Sequence, residues 1–275
     1  MELEGKIALV TGSARGIGRG VAIALAQNGA DVVVNYVRNE AEARKAVEEI
    51  QKLGRRSFAV KADVSKSSEV KALFKETLDK FGTLDILVNN AGQGMAAMVE
   101  DISEEEWHYI LDLNLNGVFY CCKEAIPIMK AKRKGKIVTI SSVAGIRMAH
   151  LSGAHYTAAK YAVNGFTRHL AYELAPYGIN VNAVCPGLVL TPLVTDSTPA
   201  SYLEKVRQTI PAGRISTPED QANAVLFLVS EKSSMIVGET LVVDGGSLLG
   251  WQPNDVYERG KKKAFALRSK GPQQK

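Results

Sequence analysis

The chain has 275 residues, 46% of them hydrophobic and 23% charged, a length and balance that suit one large buried core and exclude a disordered chain. Its formal net charge of +5 comes largely from Lys130 to Lys136 and Lys261 to Lys275, and without interleaved aromatic residues these clusters read as a solvated turn and a tail, not a nucleic-acid site. The run Met1-Glu2-Leu3-Glu4-Gly5 lacks the succession of a signal peptide, no apolar run reaches the roughly 18 residues of a membrane span, and Cys121, Cys122 and Cys185 lack disulfide or zinc spacing. A cytoplasmic setting is the expectation.

The first predicted element is a strand over Ile7 to Val10. It runs into Thr11-Gly12-Ser13-Ala14-Arg15-Gly16-Ile17-Gly18 and a helix over Gly16 to Asn28. Strand, glycine turn and helix in that order make a pyrophosphate site, because glycine lets the backbone approach the phosphates while free N–H groups and the helix dipole face their charge. The second strand, Val32 to Val34, ends in Asn35-Tyr36-Val37-Arg38. An acid there would bond the adenosine ribose of NAD and repel the extra phosphate of NADP. None is present, and Arg15 and Arg38 can flank a 2′-phosphate, so NADP(H) is the expected preference, with NAD(H) also possible.

A helix over Glu40 to Leu53, a strand over Phe58 to Val60, the pair Asp63-Val64 and a helix over Lys66 to Phe81 follow. The fourth strand, Ile86 to Val88, leads into Asn89-Asn90-Ala91-Gly92. A long helix over Glu104 to Lys130, capped by Ser103, carries Asn114 midway. The fifth strand, Ile137 to Ile140, delivers Ser141-Ser142, and a helix over His155 to Ala175 holds Tyr156 and Lys160. The sixth strand, Ile179 to Val184, precedes Pro186-Gly187 and Thr191. A helix over Pro218 to Ser230, capped by Thr217, and a strand over Leu241 to Val243 complete the order. Several strands are continuously apolar, as strands covered on both faces are. The sustained alternation predicts an α/β fold, a single-domain Rossmann-type doubly wound parallel sheet of about seven strands with helices on both faces. The domain is expected over residues 1–246, with a basic, partly ordered extension over 247–275 that includes Pro253.

Tyr156 and Lys160 are four apart, so both side chains share one helix face with Cβ atoms about 5–6 Å apart. A phenol titrates near a pKa of about 10, and a neighbouring lysine cation is expected to draw it toward neutrality, at about 1.4 kcal/mol per unit. Such a phenol exchanges a proton with a substrate oxygen. His150 and His155 have no carboxylate or cysteine at ligand spacing and read as wall or surface histidines; no metal is expected.

The spacing Gly12-x-x-x-Gly16-x-Gly18, with Asn89-Asn90-Ala91-Gly92, Ser142, and Tyr156 with Lys160 in that order, resembles the short-chain dehydrogenase/reductase family over roughly residues 5 to 246. The resemblance implies an enzyme that moves a hydride between a nicotinamide and a carbonyl or secondary alcohol, with Asn114, Ser142, Tyr156 and Lys160 catalytic. Ser142 would bond the substrate oxygen, and Asn114 would position a water near Lys160. It implies a cofactor held by Gly12, Ser13, Arg15, Gly16, Ile17, Gly18, Tyr36, Arg38, Asp63, Val64, Asn90, Ala91, Gly92, Pro186, Gly187, Val189 and Thr191 together with Tyr156 and Lys160. The substrate would be walled by Gln93, Met95, Met148, Leu151 and Leu193, with Leu188 beside them. These walls suit an apolar or bulky ketone or alcohol, steroid-like in character.

A 3-oxoacyl carrier-protein reductase and an NAD-using sugar or polyol dehydrogenase are the enzymatic alternatives. A catalytically silent cofactor-sensing protein is the other, against which the retained tyrosine and lysine argue. For the carrier-protein reading, Arg133 resembles a basic docking residue by the site entrance, while the comparable second position holds Tyr177. The family also implies a homotetramer, or a homodimer; from the charge pattern and the apolar runs, neither nucleic acid nor membrane is an expected partner. Trp251, with Leu248 and Leu249, would close over a neighbour's site or pack locally. The loop Val143 to His155 is expected to be locally unusual, being one residue longer than in many relatives.

Overall fold

In the computed structural model, which describes residues 1–149 and 151–250, seven strands form one sheet: β1 (Ile7–Val10), β2 (Asp31–Tyr36), β3 (Ser57–Lys61), β4 (Ile86–Asn89), β5 (Gly135–Ile140), β6 (Ile179–Pro186) and β7 (Thr240–Val243). Their order is β3-β2-β1-β4-β5-β6-β7, and every neighbouring pair is parallel. The helices are α1 (Gly16–Gln27), α2 (Glu40–Lys52), α3 (Ser67–Phe81), α4 (Glu104–Leu111), α5 (Gly117–Ala131), α6 (Ala154–Leu174), α7 (Pro192–Ser197), α8 (Ala200–Gln208) and α9 (Pro218–Val229).

The unbroken apolar runs follow from cover on both sides. Along β1, Ala8 and Val10 join a core with Val21, Leu25, Ala46, Ile50 and Val225 from α1, α2 and α9. Ile7 and Leu9 join the opposite core with Leu73, Cys122, Val163 and Leu174 from α3, α5 and α6. A polar residue on either face would be buried without a partner, and each large apolar side chain removed from water contributes about 1.5–3 kcal/mol. Strand order reverses between β1 and β4, so a crevice opens outside their carboxyl ends, where ligands bind in such sheets.

Helix starts divide into two kinds. Ser103 and Thr217 form reciprocal capping boxes with Glu106 and Asp220 at the heads of α4 and α9, which supplies the first-turn N–H groups with partners. By contrast, α1 and α6 begin at Arg15 and Gly153 with no side-chain cap and no acid in the first turn. Both open onto the crevice.

Two departures from the sequence-based expectation concern this region. The expected long helix over Glu104 to Lys130 is broken, because Asp112–Asn116 between α4 and α5 is a π-helical turn. The helices α7 and α8 are absent from the sequence-based expectation; α8 buries no residue, and its apolar positions Leu203 and Val206 are only half-buried, too short a stripe to mark a helix by its period. His150, Trp251, Pro253 and the basic run from Lys261 to Lys275, for which expectations are given above, lie outside the described residues. Among the described residues no helix is long and apolar enough to cross a membrane, no group of side chains could hold a metal ion, and all three cysteines are buried and free.

Candidate active site

The glycine turn is held by polar groups at the ends of β1, β2 and β4. Gly12 and Gly16 adopt φ of 62° and 60°, a region costly for any side chain with a Cβ. Asn35, 1% exposed, accepts from Gly12 N at 3.0 Å and donates to Ala62 O at 2.9 Å. Thr11 Oγ1 accepts from Asn90 N at 2.9 Å and Ala91 N at 3.0 Å. Neither Thr11 nor Asn35 was singled out as a site residue from sequence, although both set the loop's shape.

The same contacts change the reading of two expected cofactor residues. Ser13 is fully buried, its Oγ donates to Val10 O at 2.7 Å and accepts from Asn35 N at 3.1 Å, and its own N–H donates to Asn35 O at 2.9 Å. Its polar groups face the protein. Likewise Asn90 Nδ2 donates to Thr11 O at 2.9 Å and Gly12 O at 3.1 Å, so its carboxamide braces the turn. Gly18 sits against that brace: a Cβ there would lie 2.4 Å from Asn90 Nδ2 and 2.6 Å from Gly12 O.

Around the turn, Ile17 and Tyr36 are half-buried, and Arg15 and Arg38 are exposed. Neither arginine enters an ion pair among the described residues, whereas Arg19 pairs with Glu42 and Glu49. The acid nearest the end of β2, Glu40, is tied to Arg44 at 2.6 Å. Asp63 Oδ1 accepts from Ser65 Oγ at 2.7 Å and Ser65 N at 3.0 Å, fixing the turn beside β3 that carries it and the buried Val64.

The loop after β6 closes the other side. A Cβ on Gly16 would touch Thr191 Cγ2 at 3.4 Å, so Thr191 faces the glycine turn across the crevice. Pro186 and Val189 are buried, and the backbone at Val189 pairs with Ser216 as an isolated bridge that anchors the loop. Ser216 Oγ donates to Leu188 O at 2.7 Å, while a Cβ on Gly187 would press on Asp244 Cβ at 2.9 Å.

Tyr156 and Lys160 lie in the first two turns of α6, with Lys160 Nζ 5.4 Å from the centre of the tyrosine ring. Lys160 is 4% exposed and donates to Ile140 O at 3.0 Å. Burial pushes its ammonium down to about 8. Burial also raises the Tyr156 phenol, against a lowering hydrogen bond from Ser142. Of these two influences on the phenol, burial is the larger.

Asn114 is fully buried inside the π-helical turn, where its Nδ2 donates to Gln93 O and to Ile110 O, each at 2.9 Å. Its Oδ1 has no partner. A Cβ on Gly92 would lie 2.7 Å from that oxygen and 3.6 Å from Lys160 Nζ, so the missing side chain at Gly92 leaves the orphaned acceptor facing the ammonium. An unpaired buried acceptor beside a cation suits a bridging water, and π-turns are frequent at functional sites.

On the substrate side, Gly153 N donates to Met95 O at 2.6 Å, drawing together the two loops expected to wall the site. A Cβ on Gly94 would meet Ser152 Oγ at 2.2 Å and Tyr156 Cδ2 at 3.7 Å. Gln93, Met148, Leu151 and Leu193 are exposed around the opening. His155 is buried, 1% exposed, and does not line the surface. Arg133 and Tyr177 lie elsewhere, just before β5 and β6 and hence at the amino-terminal edge of the sheet, opposite Tyr156. Arg133 cannot stand by the entrance of its own chain's site.

Residues 12–247 match the family described as "Enoyl-(Acyl carrier protein) reductase". A 3-oxoacyl-[acyl-carrier-protein] reductase, FabG, of Staphylococcus aureus (strain Mu50) is 44% identical over 241 residues, spanning 88% of this chain and 97% of its own. The chain belongs to the short-chain dehydrogenase/reductase family. A 3-oxoacyl-[acyl-carrier-protein] reductase of Synechocystis sp. is similar at 42% identity over 248 residues, 90% of this chain and 98% of that one. The crystal structure of such a reductase from Brucella melitensis superposes with a TM-score of 0.83 at 36% identity, covering 89% and 92% of the two chains.

As a short-chain dehydrogenase/reductase, the protein is an NAD(P)-dependent oxidoreductase acting on a carbonyl or alcohol. A dinucleotide would be held between the glycine turn, the uncapped head of α1 and the Thr191 loop, and its nicotinamide would supply or accept the hydride. The Tyr156 hydroxyl, bonded to Ser142, would be placed to give its proton to a carbonyl oxygen, with Lys160 and Asn114 Oδ1 behind it. For carbonyl reduction, kcat/KM is expected to fall above pH about 8 as Lys160 loses its charge, because Tyr156, raised by burial, is still protonated there and kcat/KM reports the free enzyme. The pH profile of Lys160→Arg should lack this limb, since a guanidinium stays charged; an unchanged limb would assign it to another group.

Proposed function

We propose that this short-chain dehydrogenase/reductase is an NADP(H)-dependent 3-oxoacyl thioester reductase whose substrate arrives on an acidic acyl carrier protein. The observation that carries the reading is similarity to a 3-oxoacyl-[acyl-carrier-protein] reductase over 97% of that relative's length. The bulky steroid-like ketone, favoured by the walls alone, ranks below it. The rim supports either choice over a sugar: Met98, Met148 and Leu193 are 71%, 65% and 51% exposed, and an acyl chain would cover such side chains.

The cofactor preference rests on Arg15 in the glycine turn and Arg38 just after β2, both exposed and outside any ion pair among the described residues, and on Glu40 being held by Arg44. Arg38→Ala is expected to weaken NADPH binding about tenfold, the loss of one charge-assisted bond, and to leave NADH binding nearly unchanged. A titration in which the ratio of the two affinities does not move would reject this assignment.

The carrier would meet a basic surface on a second copy of the chain. Lys130 Nζ and Arg133 Cζ stand 4.2 Å and 5.8 Å from the Tyr177 ring centre, and Arg133 Nη2 donates to Pro176 O at 2.8 Å, so the place of the second basic residue is taken by an aromatic plate under two cations. Because this surface lies at the far edge of the sheet, it would serve a neighbour's site in the homotetramer or homodimer. Arg133→Glu should lower kcat/KM about tenfold for a 3-oxoacyl group on a carrier protein, through lost attraction to an acidic partner. The same variant should leave turnover of acetoacetyl-coenzyme A intact. Equal loss on both substrates, or on neither, would count against the carrier.

A further inference from the structure

On the helix face that carries Tyr156 and Lys160, the next position four residues on is Asn164, 6% exposed. Its Nδ2 donates to Gly145 O at 3.0 Å, and its Oδ1 accepts from Cys185 Sγ at a long 3.8 Å. Gly145 ends the 3-10 turn Val143–Gly145 that starts directly after Ser142. That turn is closed by Gly145 N donating to Ser142 O at 2.9 Å and by Ala144 N donating to Ser142 Oγ at 3.0 Å. A Cβ on Gly145 would lie 2.6 Å from both Asn164 Nδ2 and Lys160 O, so the turn rests flat on the helix at the level of Lys160. Cys185, at the end of β6, precedes the Pro186-Gly187 loop. One buried carboxamide therefore joins the helix of the proton-transfer pair, the turn that presents the substrate serine, and the strand that feeds the Thr191 loop.

We propose that Asn164 is a positioning residue for hydride transfer, fixing Ser142 against Tyr156 by gripping the Gly145 carbonyl. The grip is polar and short-armed. An aliphatic side chain at 164 would fill similar space and leave the Gly145 carbonyl without its partner in a buried setting. The turn would then shift to find another donor, and Ser142, one residue before it, would move with it. Displacements of about 1 Å at a reacting centre cost up to about 100-fold in rate. The cofactor side is linked to Asn164 by the long contact from Cys185 Sγ, a weak donor, so NADPH binding is expected to change little. The inference depends on the family reaction and not on which carbonyl compound is the natural substrate, so any ketone that the enzyme turns over serves as the probe.

The test is a double-mutant cycle on the full chain with NADPH and such a ketone. Asn164→Leu is expected to lower kcat about 10- to 100-fold, with the NADPH dissociation constant unchanged. In a Ser142→Ala background the same substitution should cost little more, since both act through one hydroxyl. Asn164→Ser, small enough to admit a water that bonds Gly145 O, should recover part of the loss, and it carries the cycle if the leucine variant does not fold. An equal fold-loss in both backgrounds would make Asn164 a packing residue only and overturn the proposal. So would unchanged kcat in the Ser142 background of the native enzyme.

Discussion

Replacing Tyr156 by phenylalanine is expected to reduce kcat by about 10²- to 10⁴-fold, the range lost with a positioned general acid, while NADPH binding stays close to that of the native protein. The ring remains to pack between Lys160 and the Gly94 loop, so the site keeps its shape and loses one hydroxyl. Two structural facts make that hydroxyl hard to replace. Burial raises its pKa, so it enters the reaction as a proton donor, and the hydroxyl bonded to it, on Ser142, is an aliphatic alcohol and a far weaker acid than a phenol. Steady-state rates on a ketone panel, paired with fluorescence titration of NADPH, read the two quantities separately. Activity within about tenfold of native would remove Tyr156 from the role of acid.

Gly18→Ala is expected to act almost wholly on the cofactor. Its Cβ would fall 2.4 Å from Asn90 Nδ2, 2.6 Å from Gly12 O and 3.0 Å from Ser13 Cα, and two of those three atoms are backbone. Forcing one methyl into such a contact costs about 1–3 kcal/mol, or about 10- to 100-fold in the NADPH dissociation constant if the turn absorbs it. Gly165→Ala is the control. That glycine also lies within a helix, α6, yet a Cβ there meets nothing within 4 Å, so the change should be neutral or add up to about 1 kcal/mol. Unchanged NADPH affinity in Gly18→Ala would mean that the turn tolerates a different shape from the one described.

The strands and the glycine turn were legible because their causes are local or periodic. Ile7 to Val10 reads as a doubly covered strand from four side chains, and Ser103 and Thr217 announce helix starts with their own oxygen atoms. The rest depends on atoms distant in the chain. Nothing in the sequence around Asn114 marks a π-turn, since a hydrophobic stripe tolerates one extra residue before its phase visibly slips. Ser13 and Asn90 belong by sequence to the expected cofactor-binding set, but whether such a side chain faces ligand or protein is decided by partners such as Val10 O and Gly12 O. Arg133 illustrates the limit most clearly. Its distance from Tyr156 in space is set by the strand direction of β5, which carries the chain from one edge of the sheet to the other between residues 135 and 140.

The π-turn at Asp112–Asn116 also bears on how this protein can be improved. A designer seeking a stiffer scaffold would see a defect between α4 and α5 and would delete one residue to restore an uninterrupted helix. Each residue turns an α-helix by about 100°, so that repair would swing Asn114 Oδ1 away from Gly92 and Lys160 while strengthening the backbone ladder around it. If Asn114 Oδ1 serves the proton path, the irregularity is its address, and thermostabilisation by regularising the helix would trade against that path.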